Sequence, residues 1–267
     1  MKNIVTASWL KDNLESEDLV ILDIRNDYED YHNQHIKGAQ FVSLDEVAAG
    51  KLSTHGGRHP LPNLDKFIED MKDLGVGDGT RVVIYDDGDI SRAGRLWWLL
   101  KYIGKDEVYV LEGGMDGWVS QRGEISRELP QVNKATNLTK NIRKEMKVDM
   151  EYVREIIHKD NVALVDARAY ERYIGKVEPL DFKAGHIPGA MNCPWEDLNK
   201  DGEILPVERL EEKFRPFKDY DELIVYCGSG ITATVLYILM EEVGLEPKMY
   251  AGSFSDWISY DDNEILP

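Results

Sequence analysis

The chain has 267 residues, 42% of them hydrophobic and 31% charged, which excludes a disordered chain and suits two domains of ordinary size. A net charge of -18 sets the surface against phosphate backbones, so neither nucleic acid nor an anionic membrane is expected as a partner. Two cysteines, Cys193 and Cys227, make neither a disulfide framework nor a four-cysteine zinc site. They fit a cytoplasmic protein, as does a sequence with no signal-peptide core before Asp12 and Glu15 and no apolar run of membrane length.

In chain order, the first apolar run is LVILDIRNDYE, which ends in Asp23-x-Arg25. HIKGA follows at 35–39. Next comes HGGRHPLP, a Gly/Pro-rich segment holding Arg58 and His59, and then a helical pattern over 64–74. The strand-like VVIYD ends at Asp86 and leads through a small-residue turn into a helical run over 92–103. LEGGMDGW closes this part at Trp118. The stretch 125–147 is polar, contains proline and is weakly periodic, which reads as a linker.

The series then starts again. VALVDARAYER carries Asp166 and Arg168, HIPGA spans 186–190, and LIVYC ends at Cys227. A helical run follows over 231–243, and YAGSFSDW ends at Trp257. Four anchors recur in the same order at offsets of about 140–150 residues, the signature of an internal duplication. The offset grows within the second copy, which places an insertion near 174–183. Residues 207–214, like 64–74, form an amphipathic helical run. Each copy alternates short β-rich runs with helical ones, so an α/β fold is expected, each domain a mainly parallel sheet flanked by helices. The expected division is a first domain over 1–124, the linker over 125–147 and a second domain over 148–267.

The chemistry is expected in YCGSGITA, residues 226–233. An apolar strand delivers Cys227 to its C-terminal end, where parallel sheets bind ligands. Gly228 and Gly230 let the backbone curl, so that successive N–H groups form an anion-binding nest. The helix starting near Ile231 or Thr232 adds its positive end. Such a nest holds a persulfide or an oxyanion in spite of a distant, screened surface charge. A lone cysteine at a strand end is most simply a small buried hydrophobe. Its position in a Gly-rich strand-to-helix turn, in one of two repeats, favours the functional reading. The other copy has Asp86 in that slot, which cannot carry a transferable sulfur, so the first domain is expected to be catalytically silent.

The duplicated Asp-x-Arg, the HIPGA element and the strand-Cys-loop-helix feature resemble the tandem-domain rhodanese family of thiosulfate and 3-mercaptopyruvate sulfurtransferases, over nearly the whole chain. The resemblance implies two tandem rhodanese-like domains, with Cys227 as the catalytic residue of the second. It implies a substrate site made of Arg172, Gly228, Ser229, Gly230, Ile231 and Thr232. Sulfane sulfur would pass from a small anionic donor, thiosulfate or 3-mercaptopyruvate, through a Cys227 persulfide to cyanide or a thiol, with thioredoxin among the acceptors, and without metal or organic cofactor. The CGSGITA loop resembles the mercaptopyruvate enzymes. The shorter stretch after Arg172, without the further carboxylate-binding arginine of those enzymes, pulls toward thiosulfate and gives it a slight preference. Lys176 and Lys183 are the bases left there to compensate.

Other residues have plainer readings. Ser229 and Thr232 serve equally well as helix caps. Arg168 reads as the partner of Asp166, and His35 and His186, which share a slot, as structural. Cys193 has no nest around it. The segment 55–62 either walls the active-site entrance or is a surface loop. A Cys-dependent phosphatase needs an arginine six residues after the cysteine to clamp phosphate, and Ala233 stands there. A non-catalytic sulfur-binding or interaction module is the alternative to the enzyme.

Overall fold

A computed structural model describes residues 1–200 and 202–267. The chain divides into two compact units. The first holds 1–50, 62–143 and 202–204, and the second holds 51–61, 144–200 and 205–267. The segment 51–61, which lies inside the first repeat in sequence, therefore belongs to the second unit.

Each unit is built on a five-stranded sheet, and every pairing in both sheets is parallel. In the first the order is Ile4–Val5, Val108–Leu111, Arg81–Tyr85, Leu19–Asp23, Gln40–Phe41. In the second it is Lys147–Val148, Pro247–Tyr250, Glu222–Tyr226, Val162–Asp166, Met191–Asn192. The two orders correspond strand for strand, as the duplication predicts. The middle strand of each sheet is an apolar run with no alternation, because both of its faces are covered. Val82, Val83 and Ile84 in one copy and Ile224 and Val225 in the other are wholly inaccessible.

The helices differ by how much of them is buried. Ser91–Tyr102 and Ala233–Glu242 follow the middle strands and are enclosed nearly all round, which is why Trp97, Trp98, Leu236 and Leu239 crowd them. Val207–Phe214 buries only Leu210 and Phe214 and turns its charges outward. Leu64–Asp73 starts at Asn63, whose side chain accepts from the N–H groups of Asp65 and Lys66, an N-cap that satisfies two otherwise orphaned donors. Among the described residues no helix is long and apolar enough to cross a membrane.

The Asp-x-Arg elements are buried ion pairs that lock strand ends. Asp166 sits opposite Tyr226 in the sheet register, and Arg168 reaches back to it at 2.6 Å with both side chains at most 1% exposed. The Arg168 guanidinium also donates to the Gly185 carbonyl at 2.7 Å. In the first unit Arg25 binds Asp23 at 2.8 Å and donates to the Gln34 carbonyl, while the Tyr85 hydroxyl donates to Asp23 at 2.6 Å. The histidines of the repeat are structural too. His35 stacks on Tyr31 and pairs with the Tyr31 carbonyl, and His186 does the same with Tyr173. Trp118 and Trp257 are buried and donate from Nε1 to the carbonyls of Glu124 and Glu264.

Removing one partner of a buried pair strands the other charge, which costs about 3–5 kcal/mol. Asp166→Ala is expected to lower the stability of the second unit by that order, and Asp23→Ala that of the first, in urea unfolding followed by fluorescence. A loss no larger than that of an exposed surface pair would count against this account.

Candidate active site

The strand Glu222–Tyr226 ends at Cys227, which is buried. The chain then turns, and the helix begins at Ala233. Gly230 takes a φ of +77°, a conformation that disfavours residues with a Cβ. This turn brings the Gly230 N–H onto the Cys227 sulfur at 3.1 Å. Such a donor stabilises negative charge on sulfur, and the thiolate is the reactive form.

The turn is held from the other side by 252–255. Ser253 has a φ of +58°, a conformation that costs a residue with a side chain about 1–3 kcal/mol. In return its hydroxyl oxygen accepts from the Cys227 N–H at 3.1 Å and lies 4.0 Å from the sulfur. The Phe254 and Ser255 N–H groups donate to the Cys227 and Gly228 carbonyls, each at 2.9 Å. In the sequence YAGSFSDW reads as a repeat anchor and a family motif, and neither reading points to this role. The one local signal is the swap of Gly114 in the first copy for Ser253 in the second.

Gly228 lies under the ends of two arginine side chains. A Cβ there would stand 2.7 Å from Arg58 Nη2 and 3.3 Å from Arg172 Nη2. Two guanidinium groups therefore press against the residue that follows Cys227. Arg172, on the short helix Tyr170–Tyr173, donates to Glu178 at 2.8 Å and to Asp181 at 3.2 Å. Arg58 donates from Nε to Asp181 at 2.9 Å. Glu178 and Asp181 lie in the insertion of the second copy, and their side chains are only 3% and 2% exposed. Burial alone would raise Glu178. The Arg172 guanidinium and the N–H groups of Leu180 and Asp181 overcome this and hold its carboxyl below the usual range. Lys176 is exposed and the Lys183 amine sits over the Phe182 ring, so the second cation at Gly228 is Arg58.

The segment 51–61 packs against the Cys227 turn and its support. The His59 Nδ1 is 2.8 Å from the Ser229 hydroxyl. The Arg58 N–H donates to Ser255 and the Gly56 N–H to Asp256, at 3.0 and 2.6 Å. Ser229 thus pairs with His59 and does not cap the helix. Thr232 occupies the N-cap position, but its side chain makes no capping bond. Ile231 and Thr232 are partly exposed at the rim of the turn. Cys193 stands apart, with its N–H on the Asp166 carbonyl. Burial pushes its thiol up to about 11, so it stays protonated at neutral pH.

The first unit repeats the turn with a carboxylate in the sulfur's place. Asp86 accepts from the N–H groups of Gly88, Ile90 and Ala93 at 3.0, 3.1 and 3.0 Å. The nest is filled by the chain itself. The sequence profile of the Rhodanese-like domain matches residues 6–121 and again 149–260. The chain belongs to the rhodanese-like family. A Pseudomonas aeruginosa protein named as a probable 3-mercaptopyruvate sulfurtransferase is 36% identical, over 96% of this chain and 95% of its own. A mouse thiosulfate sulfurtransferase is 31% identical, over 95% and 91%. The crystal structure of SseA from Escherichia coli, a 3-mercaptopyruvate sulfotransferase, superposes with a TM-score of 0.80 at 30% identity, covering 96% of this chain and all of the other.

In this rhodanese-like chain, burial and then the neighbouring Asp89 push the Asp86 carboxyl up to about 7, against the three N–H donors that hold it down. The folded protein therefore keeps this proton more tightly than the unfolded chain does. The resulting stability is full below the ordinary value of 3.8 and is lost as pH rises through about 7. Asp86→Asn is expected to lose less stability than the parent between pH 5 and pH 8, read as the change in melting temperature. Equal losses would place the proton elsewhere.

Proposed function

We propose that this protein is a sulfurtransferase in which Cys227 carries sulfur as a persulfide between a small anionic donor and a thiophilic acceptor. The observation that carries the reading is a free cysteine at the end of the middle strand, with the Gly230 N–H on its sulfur and the Arg172 guanidinium at the next residue. The first unit, with Asp86 in its nest, does no sulfur chemistry.

Two displacements follow. In the first, the Cys227 thiolate attacks the outer sulfur of the donor. The bond from that sulfur to the rest of the donor breaks, and sulfite leaves from thiosulfate with the electron pair. From 3-mercaptopyruvate the leaving group is the pyruvate enolate, which takes up a proton to become pyruvate. In the second, cyanide, a small thiol or thioredoxin attacks the outer sulfur of the persulfide, and the thiolate returns. This is covalent nucleophilic catalysis in ping-pong order. The turn N–H groups stabilise charge on sulfur in both steps. Arg172 binds the donor's anionic group, Gly228 gives it room, and Ile231 and Thr232 line the rim. Ser229, backed by His59, is placed to hydrogen-bond the leaving group.

3-Mercaptopyruvate takes precedence as donor over the thiosulfate that the short stretch after Arg172 suggested. The relative at 36% identity carries that name, and the Gly228-Ser229 pair brings no cation of its own to the loop. Two free cysteines support a cytoplasmic setting.

Cys227→Ser is expected to abolish both thiocyanate formation from thiosulfate and cyanide and pyruvate release from mercaptopyruvate and a thiol. Intact-mass spectrometry of the parent with donor alone should show one added sulfur, absent from the variant. Cys193→Ser should keep nearly full turnover. Turnover that survives Cys227→Ser would sink the reading, and absence of any persulfide would favour a non-catalytic module.

A further inference from the structure

The geometry points to Arg58 as the second half of the donor's anion site. It would supply from the first repeat's loop the guanidinium that the stretch after Arg172 lacks. This rests on reading the Cys227 turn as the donor site. It adds a substrate-binding residue that has no counterpart in the second repeat.

Three observations combine. Arg58 Nη2 and Arg172 Nη2 both come within contact distance of the Gly228 position, one residue from the sulfur. Asp181, with its side chain 2% exposed, accepts from both arginines. A buried carboxylate between two guanidiniums holds like charges side by side that would otherwise repel. The hydrogen bonds made by Arg58 and Arg172 to protein side chains use Nε and Nη2, and no Nη1 bond from either arginine is formed with the described residues. Each guanidinium keeps donors for a ligand.

The loop around Arg58 is also fixed in place. Gly57, at a φ of +78°, packs so closely on 252–255 that a Cβ would fall 2.4 Å from the Gly252 carbonyl oxygen. With Gly56 bound to Asp256 and His59 to Ser229, the Arg58 backbone has little freedom. A paired, pre-positioned fork suits a carboxylate or a sulfonate, which share the geometry of two or more oxygens on one centre.

The test uses the full chain with Arg58→Gln, whose shorter amide can still donate to Asp181 from about the place of Nε but carries neither the charge nor the terminal fork, and with Arg58→Lys, which keeps the charge but not the fork. Arg58→Gln should raise KM for both mercaptopyruvate and thiosulfate by roughly 10- to 100-fold with kcat changed little, the loss of a hydrogen bond to a charged group. Arg58→Lys should recover only part of it. The second half-reaction, persulfide to a neutral thiol, should be unchanged in both. A larger KM change for one donor identifies whether carboxylate or sulfonate is the better fit. Calorimetric binding of sulfite and of pyruvate to Cys227→Ser, with and without Arg58→Gln, reads the same site without turnover. Weaker binding on loss of Arg58 supports the proposal even where no persulfide forms, which separates it from the sulfurtransferase reading. Unchanged KM and unchanged anion binding, with Arg58→Gln folded by its melting curve, would reduce Arg58 to a structural partner of Asp181. A variant that does not fold leaves Arg58→Lys to decide: full activity there would refute the need for a fork.

Discussion

The site depends on how the backbone of Cys227 and Gly228 is held. A turn at the end of a strand is ordinarily free to relax, yet here its N–H and both carbonyls are bound by Ser253, Phe254 and Ser255. The left-handed Ser253 is what allows three consecutive groups to face the turn. Its strain of about 1–3 kcal/mol is offset by its bonds to the Cys227 N–H and the Tyr250 carbonyl. With that backbone fixed, Gly230 is committed to placing its N–H on sulfur. Ser255, from the same support, accepts from the Arg58 N–H. The Cys227 sulfur, its hydrogen-bond donor and the 51–61 loop are thus referenced to one short segment.

The first unit shows what the same framework does without sulfur. Met115 and Asp116 donate to the carbonyls of Asp86 and Asp87 as Phe254 and Ser255 do to Cys227 and Gly228. Gly114 takes the left-handed position of Ser253, and a Cβ there would strike the Asp86 carbonyl at 2.4 Å. The backbone design has therefore survived in both copies, and only the occupant of the nest has changed. The Asp86 side chain occupies three of the turn's N–H groups, those of Gly88, Ile90 and Ala93.

Much of this was legible in the sequence because the duplication supplies its own alignment. Asp23 and Asp166, His35 and His186, and Trp118 and Trp257 could each be read against their twin, and their shared burial follows from their shared slots. The helix after each middle strand was placed within two residues, since a turn with positive φ must end before the helix starts. Besides the support from 252–255, what escaped were contacts made by segments with no twin. Arg58 and His59 lie about 170 residues from Ser229, and no periodic pattern tells where a Gly/Pro-rich loop lands. Glu178 and Asp181 fall in the insertion, so the repeat gave no guide to them. Ser229 and Thr232 looked alike as caps. Only the position of His59 distinguishes them.

The membership of 51–61 in the second unit bears on how the two halves can have diverged. A duplicated chain is free at first to lose either copy. Once a loop of one half supplies Arg58, His59 and the Gly56 contact to Asp256 in the other, that freedom ends. About ten residues of the first repeat are thereby committed to the fold of the second unit, so a cut between the two repeats in sequence would part Arg58 and His59 from Ser255 and Ser229.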